Sequence, residues 1–217
     1  MRRIFAVLAA VWTLCAAPAR AAWNDNTSLW QERYFWDALL QSRDRLARSQ
    51  SDPAMIPALK AIAGQVAQQV ANLQQIGVYV KAQQDNLRFA FAQEDPQASL
   101  GTIGANFETL GKGADQVRNN LYFLTARCRL ASSQALPDPE MYQAALLVLQ
   151  QVQQLQLQLN TLYLDTVEDR RLVYENGWAA DKAFKTRTES LLRSTVRVQD
   201  SIFAVYNAGY ELAMRSR

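Results

Sequence analysis

The sequence predicts an all-α protein: an elongated up-down antiparallel bundle of four long helices plus a shorter N-terminal helix, with coiled-coil-like heptad seams. Three observations predict it. Prolines are confined to segment boundaries, apolar residues recur at steps of three and four over tens of residues, and no stretch alternates with the period of two that a half-buried strand requires.

Asp52-Pro53 with Pro57, Asp95-Pro96, Pro137-Asp138-Pro139 and the helix stop Asn176-Gly177 divide the chain. The segments between them are 26–50, 54–94, 98–135, 139–176 and 178–215. Ahead of them, Met1-Arg2-Arg3 forms a positive start, Ile4 to Ala17 an apolar core, and Ala19-Arg20-Ala21 a small-x-small cleavage site. This order predicts a signal peptide over residues 1–21, cleaved near Ala21, and a periplasmic or secreted protein. Leu14 directly before Cys15 is too large for a lipoprotein cleavage site, so cleavage after Ala21 is the better reading. The apolar core falls short of the roughly 20 residues a membrane-spanning helix needs, and the mature chain is expected to have no transmembrane segment. Residues 22–217 are read as one helical-bundle domain.

The first segment is rich in aromatics. Trp23, Trp30, Tyr34, Phe35 and Trp36 lie close together and include three of the five tryptophans. At 100° per residue Trp30, Phe35 and Trp36 cannot share one narrow face. They plug the bundle end or meet a partner, and aromatics are common at binding hot spots.

In the second segment Leu59, Ile62, Val66, Gln69, Leu73, Ile76, Val80, Gln83 and Leu87 follow heptad steps. The third gives Ile103, Phe107, Leu110, Ala114, Val117, Leu121, Leu124, Cys128 and Ala131, and the fourth gives Met141, Ala145, Val148, Val152, Leu155, Leu159 and Leu162. Val70, Leu149 and Tyr163 widen these stripes toward bundle-type faces. Short loops are expected to make consecutive helices antiparallel neighbours. Gly101, Gly104, Gly111 and Gly113 each cost about 1 kcal/mol in a helix interior, so the stretch from Gln97 to Gly113 is expected to fray, kink or break. Glutamines crowd the second and fourth segments, either as a neutral solvated face or as a contact lining. The last segment carries two stripes: Leu191, Val198 and Val205 form one, and Val196, Phe203 and Tyr210 another, with Ile202 and Tyr206 between them. It is either the central helix of the bundle or covers its surplus with a partner.

Composition then removes chemistries. The chain has no histidine, which excludes Ser-His-Asp and Cys-His nucleophiles, Glu-x-x-His di-iron sites and c-type haem attachment. Outside the signal only Cys128 remains, so neither an intrachain disulfide nor a cysteine-rich zinc site can form. Cys128 lies in a heptad seam and reads as a buried small hydrophobe. Were it exposed, Arg127 and Arg129 would favour a reactive thiolate. Asp165, Glu168 and Asp169 share a helical neighbourhood, but Arg170 and Arg171 follow at once, and a surface charge network is the expected reading over acid-base catalysis. Gly111-Lys112-Gly113 lacks the spacing of a phosphate loop.

The net charge of +3 is carried by Arg2, Arg3 and Arg20. Without residues 1–21 the chain is neutral and lacks the basic footprint of a nucleic-acid binder. The segment from Trp178 is locally positive, as a solvated helix face commonly is. In composition the chain resembles periplasmic helical components of bacterial secretion or conjugation assemblies, a resemblance that covers no motif and transfers no residue. The expectation is a non-enzymatic, exported interaction protein, a component of an envelope or secretion-type assembly. It has no cofactor, and it has a protein partner or associates with itself. Its candidate contact residues are Trp23, Trp30, Tyr34, Phe35, Trp36, Phe203, Tyr206 and Tyr210. The alternative is a carrier holding a lipid or other apolar small ligand between its helices.

Overall fold

A computed structural model of the chain describes residues 54–217, all within one compact unit, Leu46–Arg217. The expected signal peptide, the N-terminal helix over 26–50 and Trp23, Trp30, Tyr34, Phe35 and Trp36 lie outside the described residues. The described residues form four helices: α1 (Met55–Phe91), α2 (Gln97–Gln134), α3 (Pro139–Glu175) and α4 (Lys182–Ser216), with a 3₁₀ turn at Trp178–Ala180. No described residue is in a strand. At 1.5 Å per residue each helix runs roughly 52–57 Å.

Local chemistry sets the ends. Asp138 starts α3: its carboxylate accepts from the Glu140 and Met141 amides (2.9 and 3.2 Å), with Pro139 in the first turn, where its missing N–H costs nothing. Asp181 does the same for α4, accepting from Ala183 and Phe184 (2.9 and 3.0 Å). α3 ends where the Asn176 side chain donates to the Leu172 carbonyl and Gly177 takes φ 77°, a left-handed conformation that glycine adopts without a Cβ clash. Trp178 then packs edge-to-face on Phe184, closing this end of the core.

The pairing of the helices follows from cross-helix contacts. α1 and α2 run antiparallel, as Gln69–Asn120 and Gln83–Asn106 bonds show (3.1 Å each). α3 and α4 are antiparallel through Gln156 and Gln199. Two further seams are parallel: Gln84 of α1 donates to the Asp165 carbonyl of α3 (2.9 Å), and Ser190 of α4 donates to the Phe107 carbonyl of α2 (3.3 Å). Around the bundle the order is therefore α1, α2, α4, α3. Consecutive helices alternate in direction as expected, but α2 and α3 are not neighbours. They sit on a diagonal with no close backbone approach.

Two details explain that placement. The link over residues 135–138 crosses the end of α4, where the Asp138 amide donates to the Ser216 carbonyl at 2.9 Å. Glycine on α2 then lets α4 come close. A Cβ at Gly111 would lie 3.2 Å from Ser190 Oγ and 3.3 Å from backbone atoms of Ser190 and Leu191. α2 consequently runs unbroken from Gln97 to Gln134, against the expected interruption. Here glycine gives up helix propensity and admits the close approach of α4.

The heptad positions are largely the core. All seven residues of the stripe from Met141 to Leu162 are buried, and so are Leu59, Ile62, Val66, Gln69, Leu73, Ile76, Val80 and Leu87 on α1. Three positions slip by one residue, among them Ala131, which is only partly buried while Ser132 beside it is buried. Gln84 is buried in place of Gln83, and Gly111 in place of Leu110, which is only half-buried. Several glutamines serve as polar rungs between the bundle's own helices rather than as plain solvated surface. Gln156 and Gln199 exchange two amide bonds at 2.9 Å, and Arg127 donates to Gln65.

A candidate interaction face on the last helix

α4 separates its two stripes cleanly. Leu191, Val198 and Val205 are fully buried, with Ile202 beside them, so this helix contributes one wall of the core and is not central. The second stripe faces outward: Val196 is 52% exposed, Phe203 56%, Tyr206 37%, Tyr210 52% and Met214 50%. The rings of Tyr206 and Tyr210, one helical turn apart, stack with centroids 6.5 Å apart and planes 14° from parallel. Gln199 and Gly209 mark the side of α4 that meets α3, through Gln156 and Leu149. Tyr206 follows Gln199 by seven residues, so the aromatic stripe runs along the α3 flank. The other flank of the outward surface is charged, with Arg193 bound to Glu189 and Asp200 exposed.

The stripe is thus a rigid apolar edge at seven-residue spacing on a helix whose own core stripe is already occupied. Seven-residue spacing keeps side chains aligned along a helix and presents them to another helix. Phe and Tyr offer large contact area with few rotatable bonds, and the tyrosine hydroxyls keep one end in water.

Cys128 is fully buried in α2, and desolvation pushes its thiol up to about 12, against the opposing pull of Arg127. That disfavours the thiolate on which cysteine reactivity depends. No group of potential metal ligands occurs among the described residues.

The carboxylate cluster on α3 is only partly the surface network expected of it. Glu168 takes two bonds from Arg171 (2.7 Å each), which holds its carboxyl below the usual range, and Arg171 also grips Glu175. Asp169, by contrast, is 2% exposed, and neither of its oxygens has a hydrogen-bond partner. The sequence contains a signal for this. The α3 seam continues past Leu162 through Thr166, Asp169 and Val173 at steps of four, three and four, all buried. Extending the heptad by one turn places Asp169 inside.

At the same end of the bundle Arg170 and Lys185 approach the Tyr174 ring (5.2 and 5.1 Å to its centroid), and the two cations draw the phenol's pKa down. Val167, Arg170, Arg171 and Tyr174 line a shallow open depression of about 270 Å³. It is no enclosed ligand cavity. No described helix is long and apolar enough to cross a membrane.

Compared with protein-family models, curated proteins and solved structures, the chain matches none of them.

Proposed function

We propose that the protein is a non-enzymatic interaction protein that works after export, and that the α3-side flank of α4 is a docking edge for an amphipathic helix of a protein partner or a second copy. The observation that carries this reading is the exposed stripe Val196, Phe203, Tyr206, Tyr210 and Met214 on a helix already packed through its opposite face. Its heptad spacing matches the seams within the bundle, so an incoming helix would pack by the same side-chain geometry. The absence of histidine and the burial of Cys128 support a binding role over a nucleophilic one.

The test is a triple variant, Phe203→Ser with Tyr206→Gln and Tyr210→Gln, compared with the parent by light scattering and by crosslinking in the envelope. The expected result is loss of association or of the crosslinked partner with an unchanged unfolding temperature. A strictly monomeric parent with no crosslinked partner refutes the proposal. An apolar-ligand carrier is tested separately by mass spectrometry of gently purified protein, where a co-purifying lipid would favour it.

A further inference from the structure

Asp169 lies in the parallel seam between α1 and α3, where a charged group has the least access to water. It is 2% exposed and both of its oxygens lack partners; Oδ2 of Asp165, one turn earlier, is also buried without one. Across the seam the Gln84 amide donates to the Asp165 main-chain carbonyl. The one cation acting on the site from α1 is Arg88, at the solvent rim, where it is held by Asp85 at 3.0 Å and Glu168 at 3.9 Å. On α3 itself Asp165 and Glu168 add negative charge. None of the charges acting on the Asp169 carboxyl comes from α2 or α4, where Glu189 is engaged with Arg170.

A carboxylate in such a place is costly, because burial removes its hydration and the nearby Gln84 amide and the rim cation Arg88 offset only part of that loss. From this arrangement we infer that Asp169 is an acid-closed latch: its carboxyl is neutral while the α1–α3 seam is shut, and its ionisation opens the C-terminal halves of these two helices toward water. Desolvation, with Asp165 and Glu168 adding to it and Gln84 and Arg88 opposing it, raises this carboxyl from the ordinary 3.8 to about 8. The linkage has a definite sign. Between the unfolded and folded values the unfolded chain has released a proton that the folded chain retains, so rising pH favours unfolding. The seam is most stable below about pH 4, loses stability steadily up to about pH 8, and loses no more from this group above that.

The experiment is urea unfolding of the full chain from pH 4 to 9, with native-state amide exchange, for the parent and for Asp169→Asn. Asparagine keeps the shape and removes the ionisation. The unfolding constant of the parent, taken relative to that of the variant, is expected to rise by up to tenfold per pH unit from about pH 4 to about pH 8 and to level off above it. Exchange in the parent should quicken with pH, beyond its intrinsic dependence, at residues 80–91 and 163–175. Parallel pH curves for the two proteins would overturn the latch, as would an opening located elsewhere. If the variant fails to fold, carbon-13 titration of the Asp169 carboxyl in the parent decides, since a midpoint near 8 supports the latch and one near 4 refutes it.

Discussion

Alanine at Gly111 tests the closeness of α2 and α4, because helix propensity and packing there push stability in opposite directions. In an open helical position, Gly→Ala adds about 1 kcal/mol of stability. Gly101 is such a position, with nothing within 4 Å of an added Cβ. At Gly111 the same Cβ would meet Ser190 Oγ at 3.2 Å and the Leu191 nitrogen and Ser190 carbonyl carbon at 3.3 Å. Two of these three atoms belong to the α4 main chain, which cannot turn aside as a side chain can. Relief requires α2 and α4 to separate by a few tenths of an ångström along their tightest seam, an overpacking cost of about 1–3 kcal/mol. Gly111→Ala should therefore be less stable than the parent by about 1 kcal/mol, and Gly101→Ala more stable by about as much. For a domain of this size the resulting gap of about 2 kcal/mol corresponds to about 4–8 °C between the two unfolding temperatures. Thermal and urea unfolding followed by circular dichroism measure it. If Gly111→Ala gains as much as Gly101→Ala, the close approach is not what keeps glycine there, and the account of the helix order loses its physical basis.

Three further outcomes are expected. Cys128 should react with a thiol reagent only as fast as the bundle opens, and rapid stoichiometric labelling of the native protein would refute its burial. Asp138→Ala and Asp181→Ala should each lower stability by about 1 kcal/mol through loss of a helix cap, measured by urea unfolding. In the reciprocal amide pair, Gln156→Leu or Gln199→Leu alone should destabilise by about 1 kcal/mol by stranding the other amide, whereas the double leucine variant should recover most of the loss. Equal and additive losses in that cycle would show that the two amides are not coupled.

The elements were legible because long helices advertise themselves through spacing. Met141 to Leu162 follow four-three steps without exception, and each of those positions is buried. The arrangement of the helices was not legible in the same way. Propensity scores glycine as a helix breaker, yet Gly104 and Gly111 sit seven residues apart on the face of α2 that receives α4. A glycine that weakens a helix and one that admits a neighbour look alike until the neighbour is known. Charge misled similarly at Asp169, where a run of acidic and basic residues suggested solvent although the seam passes through it. The α4 stripes were visible as two apolar rows, but only packing shows that one is core and the other is exposed.

The diagonal link between α2 and α3 also divides the molecule into two halves with different histories. Each antiparallel hairpin, α1 with α2 and α3 with α4, forms from segments close together in the chain. The parallel seams join residues 81 and 83 apart, as in Gln84 with Asp165 and Phe107 with Ser190. Neither hairpin encloses a core by itself, since each leaves a row of leucines and valines facing the missing partner. Closing these two seams pairs residues distant in the chain, a loop-closure cost that a bundle of purely sequential helix neighbours avoids. The glycine face of α2 against α4 is one of the two seams that must close in this way, so α4 acts as a clasp between the two hairpins.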